Sequence, residues 1–493
     1  MGASEKAEKM ASHSAADAVQ SQAATTQSVP SHAQQTHTAQ TAPAPVGFWE
    51  ALRFWLKLGF ISFGGPAGQI AIMQRTLVDE RRWISQARFN HALNYCMVLP
   101  GPEAQQLATY IGWLMHRTRG GIAAGVLFVL PSLFILIGLS WIYVAFGKLP
   151  FVAAIFYGIQ CAVAAIVLHA LWRLLSRVFG ADIIKKPQNV SVLWSLVVMS
   201  FVATQFLGIA FPWVVLVAAL VGWWGSHYAP AQFDAGAAHG GKAGAHAPAL
   251  IDDHTPTPAH ARFSRTRLAW VLGVGALLWA APMLWLIASV GWSATLTQMA
   301  WFFTKAALLT FGGAYAVLPY VVQGAVNEFG WLTARQMMDG LALGETTPGP
   351  LIMVVAFVGF LGGWAKAVLG PDMLFLGAAL AACVATWFTF LPSFIFILAG
   401  GPLVESTHGN LKLQAPLKAI TAAVIGVIAS LALLFIAHIV LLTPTPSAFF
   451  SQIDFKALAI ASAAALALFR FKAGVISVIA GCAVAGLVAK MLF

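Results

Sequence analysis

One block of this chain occurs twice. Lys57, Phe63-Gly64-Gly65, Glu80, Trp83 and Pro100-Gly101-Pro102 recur as Lys305, Phe311-Gly312-Gly313, Glu328, Trp331 and Pro348-Gly349-Pro350. Lys57 to Lys305 and Pro102 to Pro350 are both steps of 248 positions, so no insertion or deletion falls inside the block. Further on, Leu130-Pro131-Ser132 matches Leu391-Pro392-Ser393 at a longer step. A duplicated apolar unit with Gly and Pro breaks at matching positions is the arrangement of secondary transporters, whose substrate sites lie at the broken helices between the repeats.

The surrounding sequence supports a membrane setting. With 59% hydrophobic and 9% charged residues and a mean hydropathy of +0.79, the chain lies outside the range of soluble globular proteins. The net charge of +11 does not point to nucleic acid, because the basic residues stand singly or in short clusters between apolar runs, as topology determinants do. Cys96, Cys161, Cys383 and Cys482 are scattered through apolar segments without paired spacing, so they read as small core residues. No metal site and no cofactor is implied.

Residues 1–46 are rich in Ala, Ser, Gln, Thr and His and read as a disordered tail on the cytoplasmic side, with no apolar core for a signal peptide. Apolar segments then follow near 48–73, 90–115, 121–147, 150–172, 190–207 and 211–228. A Gly, Ala, His and Pro rich stretch, 229–264, reads as a flexible linker. The remaining segments lie near 268–290, 295–322, 337–364, 371–400, 417–442, 455–470 and 473–492. The expected fold is therefore an all-α polytopic membrane protein of about 12–13 transmembrane segments, with one repeat in 47–228 and a second in 265–493 behind one extra leading helix.

Seven segments precede the second Lys305 block, an odd number, so the second copy enters the membrane from the opposite side: an inverted repeat. With the N-terminus inside, most basic residues fall on the cytoplasmic side, including Arg173, Arg177 and Lys472. Arg75, Arg81, Arg82 and Arg88 fall outside unless the first segment is a re-entrant hairpin.

The motif chemistry points to an anion. Phe63-Gly64-Gly65-Pro66 interrupts a helix, since Gly costs about 1 kcal/mol and Pro about 3 relative to Ala in a helix interior. The freed backbone groups are tolerated at membrane depth only when buried in protein or lining a polar cavity. Pro100-Gly101-Pro102 and Pro348-Gly349-Pro350 act likewise, and a helix restarting after Pro102 aims unpaired N–H groups and its positive dipole end at whatever lies there. Lys57 and Lys305, each six residues before its Phe-Gly-Gly, are candidate partners of a bound dianion; snorkelling to the interface is the alternative.

Glu103 and Glu345 flank the two Pro-Gly-Pro motifs at non-equivalent positions. Glu103 either complements the helix dipole or carries a coupling proton, because burial disfavours the charged form of a carboxylate. If charged it would turn toward Arg75, Arg81 or Arg82. Gln105, Thr346 and Thr347 are candidate neutral donors. Around Glu80, Arg81 and Arg82, Asp79 can pair with Arg75 and Arg82 at helical spacing. This cluster is an interfacial helix anchored by Trp83 or an electrostatic funnel for anions; Glu80 and Glu328 recur while the arginines do not.

At these residues the chain resembles the chromate ion transporters in their long, two-domain form. The resemblance rests on Phe63-Gly64-Gly65-Pro66, Glu80-Arg81-Arg82-Trp83, Pro100-Gly101-Pro102 with Glu103 and Gln105, Phe311-Gly312-Gly313 and Pro348-Gly349-Pro350, and covers nearly all of 47–493. It implies efflux of chromate across a bacterial inner membrane, with resistance to chromate as the consequence. Ala314 stands where the first copy has Pro66, and the second copy lacks the arginine run, so the two halves are not expected to contact substrate equally. Uptake of sulfate or molybdate, or anion exchange, fits the same scaffold. A membrane-embedded enzyme would need a nucleophile or metal cluster that the sequence does not display. Chromate or sulfate, a coupling proton and the lipid bilayer are the expected partners, and a homodimer is left open.

Overall fold

The computed structural model describes residues 43–180, 191–228, 248–252, 255–256, 258–311, 313–406, 414–440 and 453–491. Most of the expected tail, the first half of the expected linker and Gly312 lie outside them. Among the described residues the chain is helical. Five helices among the described residues are long and apolar enough to cross a membrane: Glu103–Phe146 (α4, through its part after Arg117), Pro150–Phe179 (α5), Arg265–Val290 (α8), Leu374–Ser406 (α13) and Gln414–Val440 (α14).

The first repeat opens with α1 (Phe48–Ile61), a break at Ser62–Gly64, then α2 (Gly65–Gln74) and a π-helical turn, Arg75–Glu80. Gly64 and Gly65 take φ of +87° and +69°, a left-handed backbone that side chains other than Gly adopt only at a cost, so the chain reverses there. Phe54 consequently meets Trp83 at 5.0 Å between ring centroids, and Arg81 reaches Glu50 at 3.5 Å. The segment near 48–73 is thus a hairpin that returns to the end it started from, which brings Arg75, Arg81 and Arg82 back beside the N-terminal end of α1.

The second repeat repeats this at the same register: α9 (Thr295–Leu308), a break, α10 (Ala314–Val322) and a π turn, Gln323–Glu328, with Phe302 5.4 Å from Trp331. Helices α3 (Gln86–Val98) and α11 (Ala334–Thr346) follow. Their N-caps are the equivalent Ser85 and Thr333, each accepting a backbone N–H three residues on at 3.2 Å and so pairing one of the otherwise orphaned helix-start donors.

A break at Leu99–Pro102 turns α3 back into α4, whose Tyr110 ring lies 5.8 Å from Tyr95 of α3. A non-helical pair, His116 and Arg117, then reverses α4 into two antiparallel arms, 103–115 and 118–146, close enough that a Cβ on Gly112 would lie 2.5 Å from the Gly120 carbonyl. In the second repeat a short 3₁₀ turn, Leu351–Met353, leads into α12 (Val354–Ala365). Helices α6 (Ser191–Gln205) and α7 (Phe211–Tyr228) complete the first half, α15 (Phe455–Phe469) and α16 (Val475–Met491) the second. The described residues of the expected linker, 248–252, 255–256 and 258–264, include Ala249, Ile251 and Ala261, which are buried. Ile251 is held by backbone hydrogen bonds to Trp83 and Ser85, and His260 Nε2 lies 3.0 Å from the Trp113 carbonyl.

Candidate anion site

The repeats meet through reciprocal bonds. Gly101 N–H donates to the Thr310 carbonyl at 2.8 Å, and Gly349 N–H to the Ser62 carbonyl at 2.9 Å. Gly101 is equivalent to Gly349 and Ser62 to Thr310, so each Pro-Gly-Pro binds the chain just before the other copy's Phe-Gly-Gly. This self-complementary exchange is what a two-fold relation between the halves produces. Both glycines have positive φ, +132° and +103°, and both press on the serine of the other copy's Leu-Pro-Ser: a Cβ on Gly101 would lie 2.2 Å from Ser393 Oγ, one on Gly349 2.6 Å from Ser132 Cβ.

Beside this junction lies a cavity of about 610 Å³ that both breaks line: Gly64, Gly65 and Pro66 from the first copy, Gly313, Ala314 and Tyr315 from the second. Its buried end carries Glu103 and Glu345, 4% and 5% exposed. Glu345 accepts a hydrogen bond from the Tyr315 hydroxyl, whereas Glu103 Oε1, near Gly313, has no hydrogen-bond partner among the described residues. The exposed end carries Arg173 and Arg177 of α5, one helical turn apart, and Lys472. Arg177 acts electrostatically on Glu103 and Arg173 on Glu345. Pro102 caps α4 with no side-chain bond, and Glu103, the first residue of that helix, lines the cavity.

An anion entering here therefore meets fixed cations first, then backbone donors and a carboxylate able to take a proton.

Gly64, Gly65, Pro66, Glu103, Gly313 and Glu345 line the cavity, and Pro100, Gly101, Pro102, Pro348, Gly349 and Pro350 belong to the junction beside it. Gln105 bonds to Thr109, and the Thr346 and Thr347 hydroxyls donate to helix carbonyls, so these three are engaged in local structure. Lys57 is exposed and lies outside the cavity. Lys305 is half-buried, with Nζ 5.9 Å from the centre of the Trp301 ring, and it too lies outside.

The arginine run does not form the cavity mouth, and Glu103 faces Arg177, not Arg75, Arg81 or Arg82. Arg75 pairs with Glu80 at 2.9 Å, not with Asp79, because a π turn sets residues five apart side by side. Arg81 stacks over Phe54 and Trp83 and pairs with Glu50, while the Arg82 carbonyl accepts from Leu250 N–H. Glu80 and Glu328 are exposed at the ends of their π turns.

Sequence reasoning placed Arg173, Arg177 and Lys472 only as topology charges. Their signal was available in part: Arg173 and Arg177 stand four apart and so share one face of α5. Two further buried polar clusters join the repeats. Arg88 meets Glu405 at 2.7 Å with Tyr110 donating to the same carboxylate, and Asp339 accepts from Tyr143 at 2.8 Å and Gln160 at 2.9 Å. No group of three or more His, Cys, Asp or Glu placed to hold a metal occurs among the described residues.

The chromate transporter family model matches residues 49–223 and again 297–487, one match per repeat. A chromate transport protein of Cupriavidus metallidurans is 30% identical over 444 residues, which is 90% of this chain and 93% of that protein. One of Pseudomonas aeruginosa is 33% identical over 397 residues, 79% of this chain and 82% of its own length. No solved structure matches the chain. Two copies of the family's unit, relatives aligned nearly end to end and apolar helices broken at both motifs make this chain a multi-pass membrane transporter, not an enzyme, and a member of the chromate transporter family.

Proposed function

We propose that the chain exports chromate, a tetrahedral dianion, from the cytoplasm of a bacterium across its inner membrane. Transport would proceed by alternating access between two inverted repeats, 47–228 and 265–493. The observation that carries this reading is a cavity lined by residues of both breaks, by Glu103 at the start of α4 and by Arg173 and Arg177. Its cationic end suits the loading of a dianion, and the positive-inside rule assigns that end to the cytoplasm.

Inversion is supported by parity. Counting 48–73 and 90–115 as re-entrant removes two of the seven segments before the second block and leaves five, still an odd number. The polarity of transport is supported by what the second copy lacks. Continuing the step from Ser132 to Ser393 along the chain, Leu434 and His438 stand where the first copy has Arg173 and Arg177. By symmetry, the opposite opening would hold the anion with less fixed charge and release it more readily.

In this reading the arginines and Lys472 gather the anion, the glycine backbones and the first N–H groups of α4 hold it, and Glu103 carries a coupling proton. Inside-out vesicles containing the protein should accumulate chromate, and a pH gradient should change the rate. Absence of uptake in vesicles in which the protein is inserted and folded would contradict the proposal.

A further inference from the structure

A second cavity, of about 600 Å³, runs along α8 between the 118–146 arm of α4 and α13. Val126 and Leu133 of the first repeat, Val274 and Leu278 of α8, and Phe390 of the second repeat form its walls, which are apolar almost throughout. The exception is one end, where Thr118 and Arg267 lie at the starts of their helices. Arg267 also donates to the His260 carbonyl, and Arg117, next to Thr118, lies outside the groove lining but acts on the same His260 ring. The His260 imidazole has its pKa lowered by burial first and also by both Arg117 and Arg267, against a hydrogen bond to the Trp113 carbonyl that raises it.

Helix α8 buries little of its surface, and Trp270, at the same end as Arg267, is 70% exposed, so the groove faces the lipid. From Arg267 to Leu278 the helix rises about 16 Å. That is roughly half of a ~30 Å hydrocarbon core, the depth of one leaflet.

We infer that this groove holds one anionic phospholipid, its acyl chain lying along α8 and its phosphate held by Arg117 and Arg267. The groove matches such a lipid in polarity, in length and in charge: an apolar slot of one leaflet's depth ending at the Arg267 guanidinium, with Arg117 close by. A zwitterionic headgroup brings its own cation to those arginines and gains less from them. The lipid would touch both repeats and the helix that joins them.

Native mass spectrometry of the full-length, delipidated protein tests this, using phosphatidylglycerol and phosphatidylcholine with the same acyl chains. The wild type should retain one phosphatidylglycerol at concentrations roughly tenfold below those needed for phosphatidylcholine. The pair Arg117→Asn and Arg267→Gln should bring the two lipids level; Asn is used because it accepts the positive φ at position 117 more readily than most side chains. Val274→Trp, which plugs the slot at an exposed position, should lower retention of both lipids. Equal retention of the two lipids by the wild type, a preference that survives the double substitution, or wild-type retention in Val274→Trp would each overturn the inference. None of these readouts depends on which anion is transported.

Discussion

Glu103 is a buried carboxylate with one oxygen unpaired, and it faces a cavity that a dianion is proposed to enter. An uncompensated charge there would be costly and would repel the substrate, which is why the coupling proton is assigned to it. Glu103→Gln keeps the shape and removes the exchangeable proton. Chromate binding by the purified protein should therefore persist, while flux loses its dependence on the pH gradient. Wild-type behaviour in both measurements would remove Glu103 from the mechanism. At this scale the sequence was informative about the breaks, because Gly-Gly and Pro-Gly-Pro act through backbone rules that hold wherever they occur. It was uninformative about Lys57, because the face of α1 to which a side chain points depends on packing from distant segments. Arg173 and Arg177 were hidden for a related reason, since a basic residue near a helix end reads the same whether it faces water or a substrate cavity.

Among the elements, the hairpins are held closed by side chains far apart in sequence. The buried contact of Arg88 on α3 with Glu405 on α13 ties the repeats together, with side chains 12% and 1% exposed. Removing one member of a buried pair typically costs about 3–5 kcal/mol, because the other charge is left unpaired, whereas replacing both with apolar groups can be neutral. Glu405→Leu alone should lower the thermal stability of the purified protein in detergent substantially, and adding Arg88→Met should restore most of the loss. Purely additive losses would show that the pair does not interact. The apolar runs were readable, but the segments near 90–115 and 337–364 begin inside α3 and α11, because the polar first turns after Ser85 and Thr333 precede the apolar residues. The π turns were not, because Arg75–Glu80 carries no residue pattern that distinguishes five-residue from four-residue hydrogen bonding. Arg75 therefore pairs with Glu80 and not with Asp79.

In the molecule as a whole, the two halves exchange reciprocal hydrogen bonds beside one cavity that both line. The exposed ends of the π turns report their orientation. In a background with the native cysteines replaced, Glu80→Cys should react with a membrane-impermeant maleimide in inside-out vesicles only, and Glu328→Cys in right-side-out cells only. Labelling of both from one side would refute the inversion. The duplication itself was legible in the constant register of the two blocks. What joins them was not, because reciprocal bonds such as those of Gly101 and Gly349 appear only once the chain is folded. The most direct test of the central claim is the concentration dependence of chromate uptake into inside-out vesicles for the wild type, Arg173→Gln, Arg177→Gln and Lys57→Gln. A hydrogen bond to a charged group is worth about 1.5–3 kcal/mol, so each arginine variant should need roughly tenfold or more chromate for half-maximal uptake, with Lys57→Gln unchanged. Wild-type affinity in both arginine variants, with a loss confined to Lys57→Gln, would place the anion elsewhere and contradict the account.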